Sequence, residues 1–227
     1  KEFLRDSNII IWTTTPWTIP ANRALAFNSA IEYSLVEIDN LENFKEKKIV
    51  VATNLLDSIV KSCDIEKFKI LKTFNGTEFA GTICTHPFQT LGYDFDIPML
   101  DARFVTLEQG TGIVHCAPSH GPDDFNLCLK HNIPSKYTVD NSGYYTDEIP
   151  YFAKTHVFKA DLIVIDKLKE LKKLLKNDKL QHSYPHSWRS KAPLIYRATP
   201  QWFISMEKNS LRKKAIKAIG DTTFYPP

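Results

Sequence analysis

The sequence lacks the features that mark membrane and secreted proteins. In its 227 residues no apolar run approaches the roughly 20 residues that a transmembrane helix needs. The first residues, KEFLRDSN, are charged and polar, which is not the pattern of a secretory leader. We therefore expect no membrane attachment. The chain starts without Met and ends on TTFYPP, so we also expect a piece of a longer protein.

Cysteine is scarce, and its spacing suggests neither a disulfide framework nor a metal site. The four cysteines, Cys63, Cys84, Cys116 and Cys128, form no Cys-x-x-Cys pair. Internal repeats and low-complexity tracts are also absent. Reduced thiols in a cytoplasmic protein fit this usage best.

Charge is unevenly distributed along the chain, although the net charge is only +3. Residues 1–150 carry 13 Lys and Arg against 20 Asp and Glu, whereas residues 151–227 carry 16 against 6. This asymmetry suggests that a polyanion docks on the basic side. The alternative is that the Lys-rich helices are simply solvated, and the sequence leaves both interpretations open.

The pattern of short apolar runs predicts an α+β (mixed α/β) fold with a mostly antiparallel, β-barrel-like core and flanking helices. Strand-like runs, separated by turn signals, occupy residues 9–15, 33–38, 48–52, 68–73, 82–86 and 112–117. Helices are predicted at 54–61 after an N-cap at Thr53, at 122–131 from Pro122, and at 161–177 after an N-cap at Asp161.

The composition changes near residue 180, where Pro, Trp, Tyr and Arg become interleaved and a basic amphipathic stretch follows at 208–219. We place a boundary there between a compact domain, residues 1–180, and an extended segment, residues 181–227, which we call the return segment.

The stretch WTTTPWTIP, residues 12–20, ends the first predicted strand and is called the threonine corner below. Threonine favours strands, but Pro16 and Pro20 cannot donate to a sheet ladder. A strand should therefore stop in a rigid corner that presents several hydroxyl groups.

A second dense stretch, GTGIVHCAPSHGPDDF, spans residues 110–125 and predicts a strand, a turn and a helix. Asp123 and Asp124 fall in the first helical turn, where carboxylates are favoured; this electrostatic role suffices for Asp123, whereas Asp124 could point toward His115. The residues His115, His120 and Asp124 leave three interpretations: a metal site, a Cys116–His115 nucleophile, or a recognition pocket. The spacing matches no standard zinc pattern, and neighbouring strand residues point to opposite faces.

Together, WTTTPWTIPANRA and GTGIVHCAPSHGPDDF resemble the editing domain that is inserted in the catalytic domain of bacterial-type isoleucyl-tRNA synthetases. The later HSYPHSWRSKAPLIYRATPQWFISM resembles the segment that returns to the synthetase core, so the resemblance spans essentially the whole chain. Valyl enzymes carry TTRPET where this chain has TTPWT, and leucyl enzymes have an Arg-Pro-Asp version. The stretch YPHSW departs from relatives that place Cys there.

The resemblance implies roles for ten residues of this chain. Asp124 would hold the α-ammonium of a misattached valine, and His115 would block the extra methyl of isoleucine. Thr14, Thr15 and Thr18 would contact the terminal adenosine and substrate or order the attacking water. Asn22 would bind the ribose, and Trp17 would either pack under adenosine or serve as a core aromatic. The catalytic set is Thr14, Thr15, His115 and Asp124, and the substrate-binding set is Thr13, Trp17, Thr18, Asn22, Gly112 and His120.

The implied function is hydrolysis of valine from isoleucine tRNA, with valyl-adenylate as a further candidate substrate. One methylene separates the two amino acids by only about 1–3 kcal/mol, and isoleucyl enzymes are the standard illustration of that limit. The expected partners are the acceptor 3′ end of that tRNA and the rest of the synthetase in cis, with the domain acting as a monomer. No cofactor or metal is expected here, since ATP and magnesium would serve the parent synthetase. The alternatives are a catalytically silent tRNA-binding module and a metal-dependent hydrolase.

Overall fold

The computed structural model describes residues 1–39, 41–181 and 183–225. Within them the chain forms eight strands in two four-stranded sheets, together with four α-helices and several 3-10 turns. The strands are β1 Asn8–Ile9, β2 Ala24–Phe27, β3 Glu32–Ile38, β4 Lys48–Ala52, β5 Phe68–Asn75, β6 Ile83–Cys84, β7 Ile97–Asp101 and β8 Val114–Cys116. The helices are α1 Leu56–Ser62, α2 Pro122–Lys130, α3 Val157–Glu170 and α4 Leu211–Asp221.

The two sheets have the strand orders β1-β4-β3-β5 and β6-β7-β2-β8. Four of the strand pairs are antiparallel, whereas β1 pairs with β4 and β2 with β7 in parallel. The mixed α/β class is therefore confirmed, but the described strands form two open sheets and do not close into a barrel. Strands β1 and β6 at two of the outer edges are only two residues long, too short to continue the ladders around a closed wall.

Two strands are absent from the sequence-based prediction. β2 is a short run, ALAF, in which every residue is buried, so the alternation that identifies a half-buried strand is missing. β7 contains Pro98, which argues against a strand in the interior of a sheet. Both strands lie at the centre of the second sheet, where burial on both faces overrides local signals.

The first predicted strand, 9–15, is too long, because the chain leaves the sheet after Ile9. Ile10 still donates its N–H to the carbonyl of Val50, but the N–H of Ala52 donates to the carbonyl of Thr111. The loop before β8 thus takes the place beside β4 that an extended β1 would occupy. Residues 10–15 are consequently released to form the threonine corner.

Both predicted N-caps, Thr53 and Asp161, are wrong. Thr53 begins a 3-10 turn, Thr53–Leu55, and its hydroxyl bonds to that of Ser34 at 2.9 Å. Helix α3 starts four residues before Asp161, with His156 as the cap, and ends at Glu170. The chain then turns through Lys172, which has a positive φ of 55°.

Two hydrophobic cores hold the sheets and helices together. The first packs the two sheets around α1, with residues such as Tyr33, Val36 and Ile49. The second packs α3, through Val157 and Val164, against the 3-10 helix Pro16–Ala21 of the threonine corner and against a group of buried aromatic residues. The second core is therefore what holds the threonine corner in place.

The return segment is largely exposed, and α4 contains no buried residue. Residues 195–198 nevertheless touch the compact part, since the N–H of Ala198 donates to the carbonyl of Ser119 and Arg197 donates to Asn141. His182, the first residue of the return motif, lies outside the described residues. The boundary at residue 180 stays a prediction. In the described part of the chain, each helix is too short or too polar to cross a bilayer.

Gly112 offers a test of the close approach between the loop before β8 and strand β4. It has a φ of +74°, and a Cβ atom on it would lie 2.4 Å from the Cβ of Ala52. Gly81 has nearly the same φ, +75°, but a Cβ there would meet nothing within 4 Å. Gly81→Ala thus measures the cost of the left-handed backbone alone, about 1–2 kcal/mol.

We expect Gly112→Ala to lower the free energy of unfolding by about 1–3 kcal/mol more than Gly81→Ala does, because it adds overpacking against Ala52. Equilibrium urea unfolding of both variants measures the difference. Equal losses in the two variants would show that this contact is not tight.

Candidate active site

One cleft of about 380 Å³ is lined by the threonine corner, the loop before β8, β8 itself and the start of α2. It brings together eight of the ten residues that the sequence analysis selected: Thr13, Thr14, Thr15, Thr18, Gly112, His115, His120 and Asp124. Residues about 100 positions apart thus share one surface. Their individual roles stay predictions.

The threonine corner is organised by its own hydroxyl groups. The N–H of Thr15 donates to Oγ1 of Thr13 at 3.1 Å, and the hydroxyls of Thr13 and Thr15 lie 3.4 Å apart. Pro16 then starts the 3-10 helix, a position where its missing N–H costs nothing. Thr14 is exposed on the cleft between these two residues. The corner therefore presents hydroxyls on a short, locally fixed backbone.

His115 lies on β8 and is held by Thr18. The hydroxyl of Thr18 donates its only proton to the carbonyl of Thr15 at 2.8 Å, and its oxygen lies 3.2 Å from Nε2 of His115. Since that oxygen can then only accept, Nε2 of His115 must carry the proton. Nδ1 is left as a buried acceptor that has no hydrogen-bond partner among the described residues.

The His115 ring is uncharged near neutral pH. Burial lowers its pKa to about 4, and the neighbouring His120 acts in the same direction. A neutral imidazole that is fixed by one hydrogen bond can shape a pocket wall without repelling a positively charged substrate. Its free Nδ1 can accept one hydrogen bond from a bound group.

Asp124 lies in the first turn of α2, where its Oδ2 accepts the N–H of Ala117 at 2.9 Å. Burial raises the pKa of its carboxyl to about 6, and the bond from Ala117 opposes that change. Asp123, one residue earlier, is exposed. The two adjacent carboxylates therefore differ: Asp124 lines the cleft, and Asp123 faces solvent at the helix end.

His120 uses both ring nitrogens for contacts within the protein. Its Nδ1 lies 2.8 Å from the carbonyl of Tyr196, so it must donate, and Nε2 accepts from the hydroxyl of Thr138 at 2.9 Å. The ring packs edge-on against Trp17 with a centroid distance of 4.8 Å. Burial lowers its pKa to about 4. His120 thus joins the return segment to the loop between β8 and α2, while its ring borders the cleft.

Trp17 and Asn22 do not line this cleft. Trp17 is 3% exposed and belongs to the second core, which is the core-aromatic alternative for this residue. Asn22 is buried, and its Oδ1 accepts the N–H of Cys116 at 3.1 Å, while Arg23 donates its N–H to the carbonyl of Cys116 at 2.8 Å. Asn22 therefore connects the end of the threonine corner to β8, next to His115.

From the loop before β8, the sequence analysis selected only Gly112. This loop forms one wall of the cleft and faces the ring of Trp12, which is 42% exposed. A Cβ atom on Gly110 would lie 3.5 Å from that ring, and Gly110 and Gly112 both have positive φ. The two glycines were a visible signal of a tight loop, but nothing local predicted that it would face the corner. The lining residues that the sequence analysis did not select are Trp12, Phe104, Thr106, Gln109, Gly110, Thr111, Ile113, Val114 and Ala117.

The geometry gives little support to a metal site or to a nucleophilic Cys116. Among the described residues, His, Cys, Asp and Glu are not grouped in threes in a way that could hold a metal ion. Cys116 is fully buried, and burial raises the pKa of its thiol well above the usual range, with Asp124 adding to the effect. Its thiol therefore stays protonated at neutral pH, which disfavours a nucleophilic role.

Relatives by sequence are much longer than this chain. It is 66% identical over 223 residues to an isoleucine–tRNA ligase of Pelagibacter ubique (strain HTCC1062), a match that covers 98% of this chain and 25% of that protein. It is 45% identical over 221 residues to an isoleucine–tRNA ligase of Francisella tularensis subsp. novicida (strain U112), covering 97% and 23%. The chain thus spans about a quarter of the length of these relatives.

Solved structures with a similar fold are editing domains of leucyl enzymes. The structure described as GlLeuRS-CP1 has a TM-score of 0.60 at 12% identity, with 77% of this chain and 85% of that chain covered. The editing domain of the cytosolic leucyl-tRNA synthetase of P. falciparum has a TM-score of 0.52 at 14% identity, covering 75% and 79%. At these identities the likeness shows the fold alone.

A family model described as "Leucyl-tRNA synthetase, editing domain" matches residues 5–178, well over half of the chain. The resemblance drawn from the two motifs is thereby confirmed at the level of the family. The chain belongs to the family of aminoacyl-tRNA synthetase editing domains, with isoleucine–tRNA ligases among its relatives by sequence.

Proposed function

We propose that this chain is the editing module of an isoleucyl-tRNA synthetase and that its cleft hydrolyses valine from mischarged isoleucine tRNA. The observation that carries the proposal is that Thr13, Thr14, Thr15, His115 and Asp124 line one cleft. In the reaction, a water oxygen attacks the ester carbonyl, the bond to the ribose oxygen breaks, and that oxygen takes up a proton. Free valine and uncharged tRNA result.

Asp124 is the anchor for the α-ammonium group in this proposal. Its carboxyl is half-buried at the edge of the cleft, where an opposite charge gains more than it would in water. Since its pKa is raised only to about 6, the group is ionised at neutral pH. A bound ammonium would stabilise that ionised form further.

His115 limits the size of the side chain that enters. Its ring is only 9% exposed and is fixed by Thr18, so it cannot move aside easily to admit an additional methyl group. Because the imidazole is neutral, it can lie near the ammonium of the substrate without repulsion. Valine fits in front of such a wall, and isoleucine does not.

Water activation in this proposal depends on orientation. The cleft presents the hydroxyls of Thr13, Thr14 and Thr15. His115 and His120 are weak bases because burial lowers the pKa of each to about 4, and Asp124 is assigned to the ammonium group. Hydroxyl groups of the corner and the free ribose hydroxyl of the substrate would orient the attacking water. Neither a metal nor another cofactor has a role in this chemistry.

The remainder of the synthetase would act in cis, and the acceptor 3′ end of the tRNA would reach the cleft in the cytoplasm. The return segment contributes an exposed helix, α4, that carries Arg212, Lys213, Lys214 and Lys217. Such a basic surface can contact phosphates without reading sequence. The domain is proposed to work as a monomeric unit within the larger chain.

We expect Asp124→Ala to lower single-turnover hydrolysis of valyl-tRNA by at least about 100-fold, because the ammonium anchor is lost. Asp123→Ala, the matched control on the adjacent exposed carboxylate, should stay within about threefold of the wild type. If the wild-type chain binds valyl-tRNA but leaves it intact, the cleft is a silent binding module. Activity that is lost on chelation and restored by zinc would indicate a metallohydrolase.

His115→Ala should affect discrimination more than catalysis. Removing the ring opens space for the additional methyl group, which gains about 0.8 kcal/mol where it is buried. The variant should therefore hydrolyse correctly charged isoleucyl-tRNA, which the wild type spares, while Asp124→Ala loses both substrates. Single-turnover assays on both aminoacyl-tRNAs measure this. If the variant still spares isoleucyl-tRNA but loses valyl-tRNA hydrolysis, the ring is catalytic and the size-limiting role is wrong.

Burial of the Asp124 carboxyl should also lower the free energy of unfolding, by an amount that depends on pH. The folded state raises the pKa of Asp124 from 3.8 to about 6, so it holds this proton more tightly than the unfolded chain does. Ionised Asp124 therefore lowers the free energy of unfolding progressively between about pH 4 and pH 6, and fully above that range. Asp124→Asn should be more stable than the wild type by about 1–2 kcal/mol near pH 7.5.

The gain from Asp124→Asn should shrink as the pH approaches about 4, where the wild-type carboxyl is protonated in the folded state. Asp123→Asn serves as the control and should show no comparable gain near neutral pH. Urea unfolding at the two pH values measures the differences. A gain that is independent of pH would contradict an ionisation effect.

A further inference from the structure

The backbone of Trp17 is held at both of its polar groups by side chains that are distant in sequence. Its N–H donates to Oδ1 of Asp161, on α3, at 2.8 Å. Its carbonyl accepts the hydroxyl of Tyr145. We call this pair of bonds the Trp17 clamp. None of the editing chemistry described above uses either side chain.

The clamp is built at a position where the backbone needs a partner. Pro16 has no N–H, so Trp17 carries the first free N–H of the 3-10 helix Pro16–Ala21, a group without a partner within the helix. Asp161 supplies that partner from outside. Burial raises the pKa of its carboxyl, and the bond from the Trp17 N–H opposes this shift. A half-buried carboxyl is costly to place unless its hydrogen bond is made.

Tyr145 completes the clamp from the second core. Its side chain is 2% exposed, and burial raises the pKa of its hydroxyl far above the usual range. The hydroxyl therefore stays protonated and remains a donor at every pH of interest. With Asp161 accepting and Tyr145 donating, the peptide groups on both sides of Trp17 are fixed in orientation.

The clamp acts on the residue next to Trp17. Thr18 is the residue whose hydroxyl donates to Thr15 and accepts from Nε2 of His115. A rotation of the Trp17 carbonyl would rotate the peptide N–H of Thr18, which also donates to Thr15 at 2.9 Å. The orientation of the Thr18 hydroxyl, and with it the tautomer and position of the His115 ring, thus depends on the clamp.

We propose that Asp161 and Tyr145 are positioning residues for the editing cleft, which set its size discrimination by fixing the 15–18 turn and, through Thr18, the His115 ring. This role rests on the proposed function, in which the His115 ring is the wall that excludes isoleucine. A purely structural role for the clamp would instead hold the second core together and leave the selectivity of the folded molecules unchanged.

The first test compares Asp161→Ala, Asp161→Asn and Tyr145→Phe with the wild-type chain in single-turnover hydrolysis of valyl- and isoleucyl-tRNA. The measured quantity is the ratio of the isoleucyl rate to the valyl rate, because partial unfolding lowers both rates equally. We expect this ratio to rise about tenfold in Asp161→Ala and in Tyr145→Phe. Asn keeps an oxygen acceptor for the Trp17 N–H, so Asp161→Asn should stay within about threefold of the wild type.

The matched control is Asp166→Ala, which removes an exposed carboxylate further along α3 that pairs with Lys169. Its ratio should equal that of the wild type. A ratio that stays unchanged in both Asp161→Ala and Tyr145→Phe would overturn the proposal, whatever the loss of stability. A rise in the control as large as in Asp161→Ala would do the same.

A second measurement does not depend on hydrolysis. The imidazole ¹⁵N chemical shifts of His115 report which nitrogen carries the proton, and amide hydrogen exchange reports protection of Trp17. In the wild type we expect protonation at Nε2 and a protected Trp17 amide. In Asp161→Ala we expect mixed tautomers and exchange of the Trp17 amide that is at least about tenfold faster.

The two measurements separate the failure of this proposal from the failure of the proposed function. If the wild type hydrolyses neither aminoacyl-tRNA, the proposed function fails, and the ¹⁵N shifts still decide whether the clamp orients His115. If Trp17 exchange accelerates in Asp161→Ala but the His115 shifts do not change, the clamp does not reach the ring and the positioning role is wrong.

Discussion

The geometry of the cleft depends on one hydroxyl group with a single proton. Thr18 gives that proton to the carbonyl of Thr15, and the same carbonyl accepts the N–H of Thr18, so the turn closes on itself. The hydroxyl oxygen can then only accept, which assigns the proton of His115 to Nε2. A local turn in the threonine corner thereby fixes a ring on a strand 97 residues away in sequence.

The threonine corner and the stretch 110–125 are brought together by strand pairing and by a side-chain hydrogen bond. The pairing of β2 with β8 aligns Leu25 with His115, and the Asn22 side chain binds the N–H of Cys116 at the end of that ladder. The corner precedes β2 directly, so this register sets where the corner meets β8. Asn22 therefore contributes to the site as a structural connector, through its buried amide.

The sequence predicted the residues of the cleft better than it predicted the framework. Strands β3 and β4 and helix α2 match their predicted ranges closely, because their apolar patterns or the initial Pro122 are local signals. β2 was missed because its burial on both faces is a tertiary property, and β7 was missed because Pro98 argues locally against a central strand. Asp161 looks like the cap of its own helix in the sequence, yet it caps another helix 144 residues away. Contacts between residues so far apart produce no periodic pattern in a single sequence.

The predicted site residues also divide into those that local motifs identify and those whose positions depend on packing. Thr13–Thr15, His115 and Asp124 lie in dense motifs whose residue types reveal polar chemistry, and all five meet in the cleft. Trp17 and Asn22 belong to the same motifs but are buried away from this cleft: Trp17 packs in the second core, and Asn22 bonds to the N–H of Cys116. Motif membership therefore locates the site, and only packing separates the residues that face it from those that support it.

Burial sets the charge states of the two cleft residues on which the proposed function depends, Asp124 and His115. The same loss of solvent raises the pKa of Asp124 to about 6 and lowers that of His115 to about 4. At neutral pH the cleft therefore holds an ionised carboxylate beside an uncharged imidazole, and this pair suits a substrate with one positive charge. A protonated histidine would repel that charge. A solvent-exposed histidine would be a better base, but its ring would be held less firmly. In the proposed function, this arrangement would favour a small amino acid ester with one positive charge and would leave the activation of water to hydroxyl groups and to the substrate itself.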